Sequence, residues 1–283
     1  MSEKVFVVVV AYRRPESLLR VLASLRAQTR PPDMALVVDN SGDESVFSAL
    51  RPLPPGVTYI RMPGNTGSAG GYHRGMEQSL SQGADFIWTL DDDVVCAPEA
   101  LENLLAGFAS MPDNAVAALR CVGPEHVHKT ATPLVVFSWR GTLFRAAAVR
   151  EAGLPDERYF LYGDDLEYSL RLSSLGKKFF WCPGARCDEN SDDGKLVVAF
   201  MGRTHRLYAS PLRSYYAFRN EIAIYLKYRQ YGALCGVLWY ACKLSAFMLV
   251  TLRFTQCLFI CYGIWDGFFC KLGRRTQFLY VRS

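Results

Sequence analysis

The chain has 283 residues, half of them apolar, which is enough to bury a substantial core as one large domain or two small ones and excludes a disordered protein. Its net charge of +5 is modest but uneven: the carboxylate clusters lie at or before Asp193, whereas the sequence from Lys195 to the end is rich in Arg and Lys. Nine cysteines form no paired CxxC spacing, and Cys235, Cys242, Cys257, Cys261 and Cys270 sit in apolar sequence as small hydrophobes, so the expected setting is reducing and cytoplasmic.

Strand and helix signals alternate from the start. After Met1 to Lys4, the apolar run from Val5 to Val10 is too short for a signal or a membrane span and reads as a central first strand. Residues 15–25 carry helical spacing at Leu18, Val21, Leu22 and Leu25, with Pro15 and Glu16 suited to a first turn. Short strands follow at 35–38, ending in Asp39-Asn40-Ser41-Gly42, and at 57–61, ending in a glycine-rich stretch from Pro63 to Gly71. A helix over 71–82 leads to a strand at 86–90 that stops at Asp91-Asp92-Asp93. This order predicts a mostly parallel α/β sheet covered on both faces, with ligands gathering beyond the carboxyl ends of the strands, where Asp39, Asn65 and Asp91 fall. Further on we expect a helix at 98–108, a strand at 115–122, a loop over 123–132 and strand structure around Gly141 in 137–144. A helix opens at Gly163-Asp164-Asp165 with Leu166, Leu170 and Leu175 inward, and a short strand covers 178–181.

Three stretches carry chemistry. Asp is poor in strands and costly to bury unpaired, so the triplet needs full solvent or a cation. In an extended segment Asp91 and Asp93 point the same way and share one hard cation, Mg2+ or Mn2+, while Asp92 points elsewhere; the alternative is a solvated acidic turn. After Asn65, the glycines Gly67, Gly70 and Gly71 let backbone approach a ligand just before a helix N-terminus. They build a tight strand-to-helix turn equally well, and their spacing is not the GxGxxG dinucleotide fingerprint. Asp164 and Asp165 suit either a helix cap or a catalytic base. His73, His126, His128 and His205 are unpatterned and have no cysteine partner at a useful spacing, so zinc is not expected, and no Gly-x-Ser-x-Gly elbow is present.

Taken together, the Val7 to Pro15 start, Val37-Val38-Asp39-Asn40, the Asn65 to Gly71 loop, the acidic triplet and Gly163-Asp164-Asp165 resemble the family 2 glycosyltransferases of the GT-A fold over residues 4–190. The loop, the triplet and the stretch from Phe160 to Arg171 look most like the galactofuranosyltransferase and rhamnosyltransferase branch. The resemblance implies that Ala11, Tyr12, Arg13 and Asp39 bind the nucleoside and that Asn65, Gly67, Gly70 and Gly71 lie near the donor. It further implies that Asp91 and Asp93 hold Mg2+ or Mn2+ on the diphosphate, with Asp92 supporting. Asp165 would take the acceptor proton, giving inversion, with Asp164 shaping the acceptor pocket. One departure stands out: the family's metal-binding histidine after a Pro-Gly-Ala strand is replaced by Asp188-Glu189, so Glu189, Asp188 or His205 is left as the further ligand.

Residues 211–227 read as a helix whose Tyr-Tyr-x-x-Arg219-Asn220 resembles the same branch. Residues 232–270 are nearly continuous hydrophobic sequence, interrupted by Lys243, Arg253 and Asp266 and closed by Lys271, Arg274 and Arg275. That pattern suits helices lying in a bilayer interface; packing between subunits of a homo-oligomer is the alternative, and a true span would bury Lys243 or Arg253. The expected organisation is a catalytic GT-A domain over 1–205 and a hydrophobic, basic helical region over 206–283. The expected activity is inverting, metal-dependent transfer of galactofuranose from a UDP donor to a lipid-linked polysaccharide precursor, by a peripheral enzyme on an anionic cytoplasmic membrane surface, with no nucleic-acid partner. A dTDP-rhamnose donor and a non-catalytic sugar-nucleotide or glycan-binding subunit are the rival readings, and a nucleotidyltransferase fits the Gly-Asp-Asp helix and the lipophilic tail poorly.

Overall fold

The computed structural model describes residues 3–111, 114–123, 130–189, 195–200, 203–208 and 210–275. In chain order the first elements are β1 (Val5–Ala11), α1 (Pro15–Arg26), β2 (Met34–Asp39), α2 (Ser45–Ala49), β3 (Val57–Arg61), α3 (Gly67–Ser81), β4 (Phe86–Asp91), β5 (Val94–Cys96) and α4 (Ala100–Ser110). They are followed by β6 (Val116–Val122), β7 (Thr132–Leu134), β8 (Thr142–Arg145), α5 (Ala146–Ala152), α6 (Asp164–Ser174) and β9 (Lys178–Glu189). The last elements among the described residues are a two-stranded ribbon, β10 (Lys195–Phe200) and β11 (Arg203–Tyr208), and the helices α7 (Pro211–Lys227), α8 (Tyr231–Val250) and α9 (Phe254–Phe268). Contacts divide it into two compact units, Met1–Asp156 with Tyr168–Ser191, and Glu157–Glu167 with Asp192–Ser283. The boundary expected at 205/206 lies inside the second unit.

The first unit is built on a sheet in the order β3-β2-β1-β4-β8-β6-β9-β5, with β7 paired to β9. β1 is its axis because all seven of its residues are buried, which only a strand covered on both faces tolerates. Val5, Val7, Val9 and Ala11 pack with Leu18, Leu22 and Leu25 of α1 and Leu104 and Phe108 of α4. Phe6, Val8 and Val10 pack on the other face with Tyr72 and Met76 of α3, Val149 of α5, and Tyr168 and Leu172 of α6. Two periodicities, 2 for the strand and 3.6 for the helices, thus fill two core layers from one alternating sequence.

Most of the strands run one way: β3, β2, β1 and β4 are parallel, and so are β6 and β9, whereas β8 lies antiparallel to both β4 and β6, and β5 and β7 lie antiparallel to β9. Gly141, at φ +73°, makes the reversal into β8, a conformation that side chains other than glycine rarely adopt. The strand expected at 178–181 continues to Glu189 by a register shift against β6 between Cys121 and Val122. Leu166, Leu170 and Leu175 are a correction: the first two are only partly buried and Leu175 is 42% exposed beyond the end of α6 at Ser174, and the apolar side chains that α6 buries are Tyr168 and Leu172. His126, His128 and most of the loop expected over 123–132 lie outside the described residues.

In the second unit, Phe218 of α7 packs with Ala241, Leu244 and Met248 of α8 and Ile260 of α9. A second cluster joins Phe160, Tyr215, Tyr216 and Phe259. α9 lies close on α7 because Gly263 and Gly267 face backbone: a Cβ on either would stand 2.7 Å from the Tyr215 carbonyl or 2.8 Å from that of Arg219.

Candidate active site

In the first unit the parallel strands end side by side, Ala11 in register with Asp39, Asp39 with Arg61, and Val10 with Asp91. Asp39 is fully buried, and both oxygens are engaged: Oδ1 accepts the Ser41 N–H at 2.8 Å and Oδ2 the Tyr59 hydroxyl at 2.6 Å. Burial and then that bond to Asp39 raise the Tyr59 phenol well above its ordinary range, so it stays a donor. Asn40, also buried, donates from Nδ2 to the Gly67 carbonyl at 2.8 Å and accepts the Thr66 hydroxyl at 2.8 Å, which fastens the start of α3 to the end of β2. Asn65 Oδ1 accepts the Gly67 N–H at 2.9 Å.

The helix expected from residue 71 begins at Gly67, so Gly70 and Gly71 lie in its first turns rather than in a loop. The reason is contact with the sheet. A Cβ on Gly71 would stand 2.6 Å from Val10 Cγ1, and one on Gly75 2.2 Å from Val8 Cγ1. The glycines bring the first turns of α3 directly over β1, with the Gly67 N–H capped by Asn65 and the Thr66 N–H by Asn40 at 3.3 Å.

The triplet also departs from the extended reading. Asp91 ends β4, but Asp92 and Asp93 form a turn before β5, so alternation does not govern where they point. Asp91 is partly exposed, and its Oδ1 accepts the Tyr72 hydroxyl at 2.5 Å. Asp92 turns back to the first loop, its Oδ2 accepting the Tyr12 N–H at 2.8 Å and its Oδ1 lying 3.5 Å from the Arg14 guanidinium. Burial pushes the Asp92 carboxyl up to about 7 against the pull of that N–H and of Arg14. Arg14 also pairs with Asp93 Oδ2. Burial works against the Arg14 charge, yet Asp92, Asp93 and Asp91 hold its pKa above the ordinary value. Asp93 Oδ1 is buried and has no hydrogen-bond partner among the described residues. Such an atom costs about 1–3 kcal/mol or more in lost hydration.

That orphaned oxygen is the feature that fits a cation here, and a carboxylate oxygen is the kind of ligand that Mg2+ or Mn2+ takes. Pairing of β5 with β9 sets Asp188 opposite Val95 and Glu189 opposite Val94, so the backbone of both lies within a few residues of the triplet. Asp188 is exposed. No group of three or more His, Cys, Asp and Glu side chains converges as a metal cluster among the described residues. Tyr12 is 43% exposed, and Arg13, at φ +56°, donates its N–H to Ser41 Oγ at 2.9 Å while its guanidinium pairs with Asp43 at 3.2 Å. His73, by contrast, bonds the Pro155 carbonyl through Nδ1 at 2.8 Å, a long-range structural contact.

In the second unit, Asp164 and Asp165 are the first two residues of α6, directly after Gly163 at φ +75°. Asp164 is 4% exposed; Asp165 Oδ1 accepts the Leu166 N–H at 2.8 Å. With Glu167 they place three carboxylates in one first turn, where the helix dipole favours negative charge. Glu167 is fully buried, and its Oε1 takes Lys227 Nζ at 2.7 Å and the Tyr228 hydroxyl at 2.8 Å, so α7 holds that turn. His205 stands on β11 in register with Val198.

Sequence reasoning passed over Arg14, Asn40 and Tyr72. Arg14 lies in the Arg13-Arg14-Pro15 stretch that carried the resemblance, and Asn40 follows Asp39, so position along the chain was the signal. Only long-range contact shows that they grip the triplet and the α3 N-terminus.

Buried and half-buried carboxylates at the ends of parallel strands, beside a helix N-terminus, form the kind of crevice in which α/β sheets bind ligands, and the sequence comparisons say which family uses it. The model of Glycosyl transferase family 2 matches residues 6–157, that of Glycosyl transferase family group 2 matches residues 127–270, and the chain belongs to this family of glycosyltransferases. Among individual relatives it is similar to Galactofuranosyltransferase GlfT1 of Mycobacterium tuberculosis strain H37Rv, 31% identical over 98% of this chain and 98% of that one. The GlfT1 of Mycolicibacterium smegmatis is 29% identical over 78% of this chain and 82% of its own length. Two solved structures share the GT-A-like fold. One is GalNAc-T7 with UDP, GalNAc and Mn2+, at TM-score 0.62 and 14% identity, matched over 81% of this chain and 49% of that one. The other is residues 1–349 of S. aureus TarS in complex with UDP, at TM-score 0.56 and 15% identity, over 83% of this chain and 70% of that one.

Proposed function

We propose that this glycosyltransferase moves galactofuranose from UDP-galactofuranose, with inversion, onto a lipid-linked polysaccharide precursor at the cytoplasmic face of the membrane. The observation that carries the proposal is the 31% identity to a galactofuranosyltransferase across 98% of both chains. Ala11, Tyr12, Arg13 and Asp39 would bind the nucleoside, and Asn65 with Gly67, Gly70 and Gly71 would face the donor. Asp91 and Asp93, with Asp92 supporting and Asp188, Glu189 or His205 as the further ligand, would hold Mg2+ or Mn2+. A cation held there would supply positive charge against the departing diphosphate. Support for it comes from the orphaned Asp93 oxygen and from the Mn2+ and UDP of the GalNAc-T7 structure.

The acceptor hydroxyl attacks the anomeric carbon, the bond to the diphosphate breaks on the opposite face, and the hydroxyl proton passes to the Asp165 carboxylate. UDP leaves with the bonding pair. Asp164 shapes the acceptor pocket, and Arg14 keeps Asp92 and Asp93 from repelling one another.

The purified full chain should release UDP from UDP-galactofuranose when given a lipid-linked acceptor, and lose that turnover to a chelator until Mg2+ or Mn2+ is restored. Turnover of dTDP-rhamnose in place of UDP-galactofuranose overturns the donor assignment. Asp165→Asn should cut transfer by about 10²–10⁴-fold, the range of a lost general base, and leave UDP affinity within about twofold.

A further inference from the structure

The turn in front of Asp164 and Asp165 is held in an unusual backbone state. Phe160 and Tyr162 have φ of +62° and +65°, and Gly163 follows at +75°. Aromatic residues rarely adopt that region, and such a turn persists only where its surroundings over-determine it.

What determines it is two consecutive residues of α7. Asn220 Nδ2 reaches three carbonyls of this one turn, Tyr159 at 2.8 Å, Leu161 at 3.0 Å and Tyr162 at 2.6 Å. An amide offers two hydrogens, so the three oxygens share them. Arg219 Nη2 adds a bond to the Tyr159 carbonyl at 3.0 Å, and its Nε donates to Asn220 Oδ1 at 2.8 Å. That last bond sets the orientation of the amide: with Oδ1 occupied by a donor, Nδ2 is the group that faces the carbonyls. Arg219 Nη1 bonds the Gly273 carbonyl at 2.5 Å, and its guanidinium lies 4.7 Å from the Tyr216 ring, which packs in turn 4.9 Å from Phe160. A Cβ on Gly163 would stand 3.3 Å from Asn220 Cβ and 3.2 Å from Ile224 Cδ1, so the turn is seated on the same face of α7.

Both Arg219 and Asn220 are fully buried. Burying a guanidinium is costly, and an apolar pair of similar volume would fill the space without that cost. Spending both side chains on the carbonyls of one turn makes sense if the backbone state of that turn is what must be kept. We propose that Arg219 and Asn220 are positioning residues for the acceptor-side carboxylates: by fixing the backbone from Tyr159 to Gly163 they set where Asp164 and Asp165 stand when the acceptor hydroxyl gives up its proton. The inference rests on the reading of Asp165 as the base.

Steady-state kinetics on the full chain test it. Asn220→Ala should lower kcat by about 10²-fold, as expected for a reacting group displaced by about 1 Å, while donor KM and UDP affinity stay within about twofold. Asn220→Asp keeps the shape but offers no hydrogens, so it should lose as much kcat as the alanine. If Asn220→Ala fails to fold, Arg219→Lys serves: it keeps the charge but replaces by one nitrogen the three that Arg219 sets on the Asn220 Oδ1, the Tyr159 carbonyl and the Gly273 carbonyl, and the same split between kcat and donor KM is expected. Wild-type kcat in either variant, a fall in UDP affinity that tracks the loss of kcat, or failure of both variants to fold overturns the proposal. Should Asp165→Asn retain transfer, the base assignment is what fails. An inactive Asp165→Asn beside a fully active Asn220→Ala rejects the positioning role alone.

Discussion

Glu221 follows Arg219 and Asn220 on α7, and its carboxyl is pushed up to about 7 from 4.5, first by burial and then by the charge of Asp165. A carboxyl raised on folding binds its proton more tightly in the native state. Its contribution to stability is therefore fully present below about pH 4.5 and is lost as the pH rises through about 7. The side chain is only partly buried by exposed area, so the full conversion of that shift is reduced for solvent screening to about 1–2 kcal/mol. Glu221→Gln should raise the thermal midpoint by about 2–4 °C per kcal/mol near pH 8 and change it little near pH 4.5. Melting the two proteins across that range checks the sign: a variant that gains most at the acid end rules out the buried carboxyl as the cause. The burial that raises Glu221 is created by the packing of α7, which no local sequence feature of Glu221 reveals.

Contact between α3 and β1 makes a similar argument for a whole element. Gly75→Ala gains about 1 kcal/mol of helix propensity, but its Cβ would stand 2.2 Å from Val8 Cγ1 in a core layer with no room for a β-branched side chain to move. Overpacking of that kind costs about 1–3 kcal/mol, so the clash wins and the variant should be destabilised by up to about 2 kcal/mol. Gly236 of α8 has open space where its Cβ would go, so Gly236→Ala should move the melting temperature in the opposite direction. Adding Val8→Ala to Gly75→Ala should recover part of the loss; failure to do so would mean that the contact is not the cause. Much of this element was readable beforehand. The run Val5 to Val10 announced a strand covered on both faces, and the spacing of Leu18, Val21, Leu22 and Leu25 announced the helix on one of them. Gly71 and Gly75, four apart on one helical face, carried the signal for close helix-sheet approach, and the facing Val8 and Val10 are what the missing Cβ atoms make room for. The antiparallel insertion of β8 was hidden because it is four residues long and its partners β4 and β6 are set by distant pairing. The turn at Asp92 and Asp93 was hidden for the same reason: Arg14 and the Tyr12 N–H, about eighty residues earlier, draw the carboxylates out of the extended form. Phe160 and Tyr162 at positive φ gave no local warning, since neither is glycine, asparagine or aspartate.

For the molecule as a whole, the question is what covers the apolar helices at its C-terminal end. α8 is 20 residues long with a mean hydropathy of 1.7, enough to cross a bilayer by length and composition. Against a crossing stands Lys243 in its middle, an ammonium that costs about 2.5–3.5 kcal/mol at a bilayer centre. Lys243 instead lies 5.0 Å from the Trp239 ring, and Lys271 5.7 Å from that of Phe269, aromatic faces with cations beside them. Trp239, Trp265 and Phe269 are each more than half exposed, as are Val250, Leu252 and Phe254 around Arg253. Asp266, the acid of α9, is buried and satisfied by Tyr215 at 2.7 Å and Arg275 at 2.7 Å, so it leaves the exposed surface aromatic and basic. Such a surface suits the headgroup region of an anionic leaflet, where each nearby cation adds about 1 kcal/mol and salt screens the attraction over about 10 Å at 0.1 M. The full chain should float with vesicles containing phosphatidylserine, float less with phosphatidylcholine alone, and come off as salt is raised. Lys243→Glu with Arg253→Glu should weaken flotation by about tenfold or more, and Trp239→Ser with Trp265→Ser should weaken it with little change in the salt dependence. Retention of the protein on the membrane through an alkaline carbonate wash would make α8 a true span. Indifference to lipid, together with a stable dimer in solution, would give the same surface to a second copy of the chain.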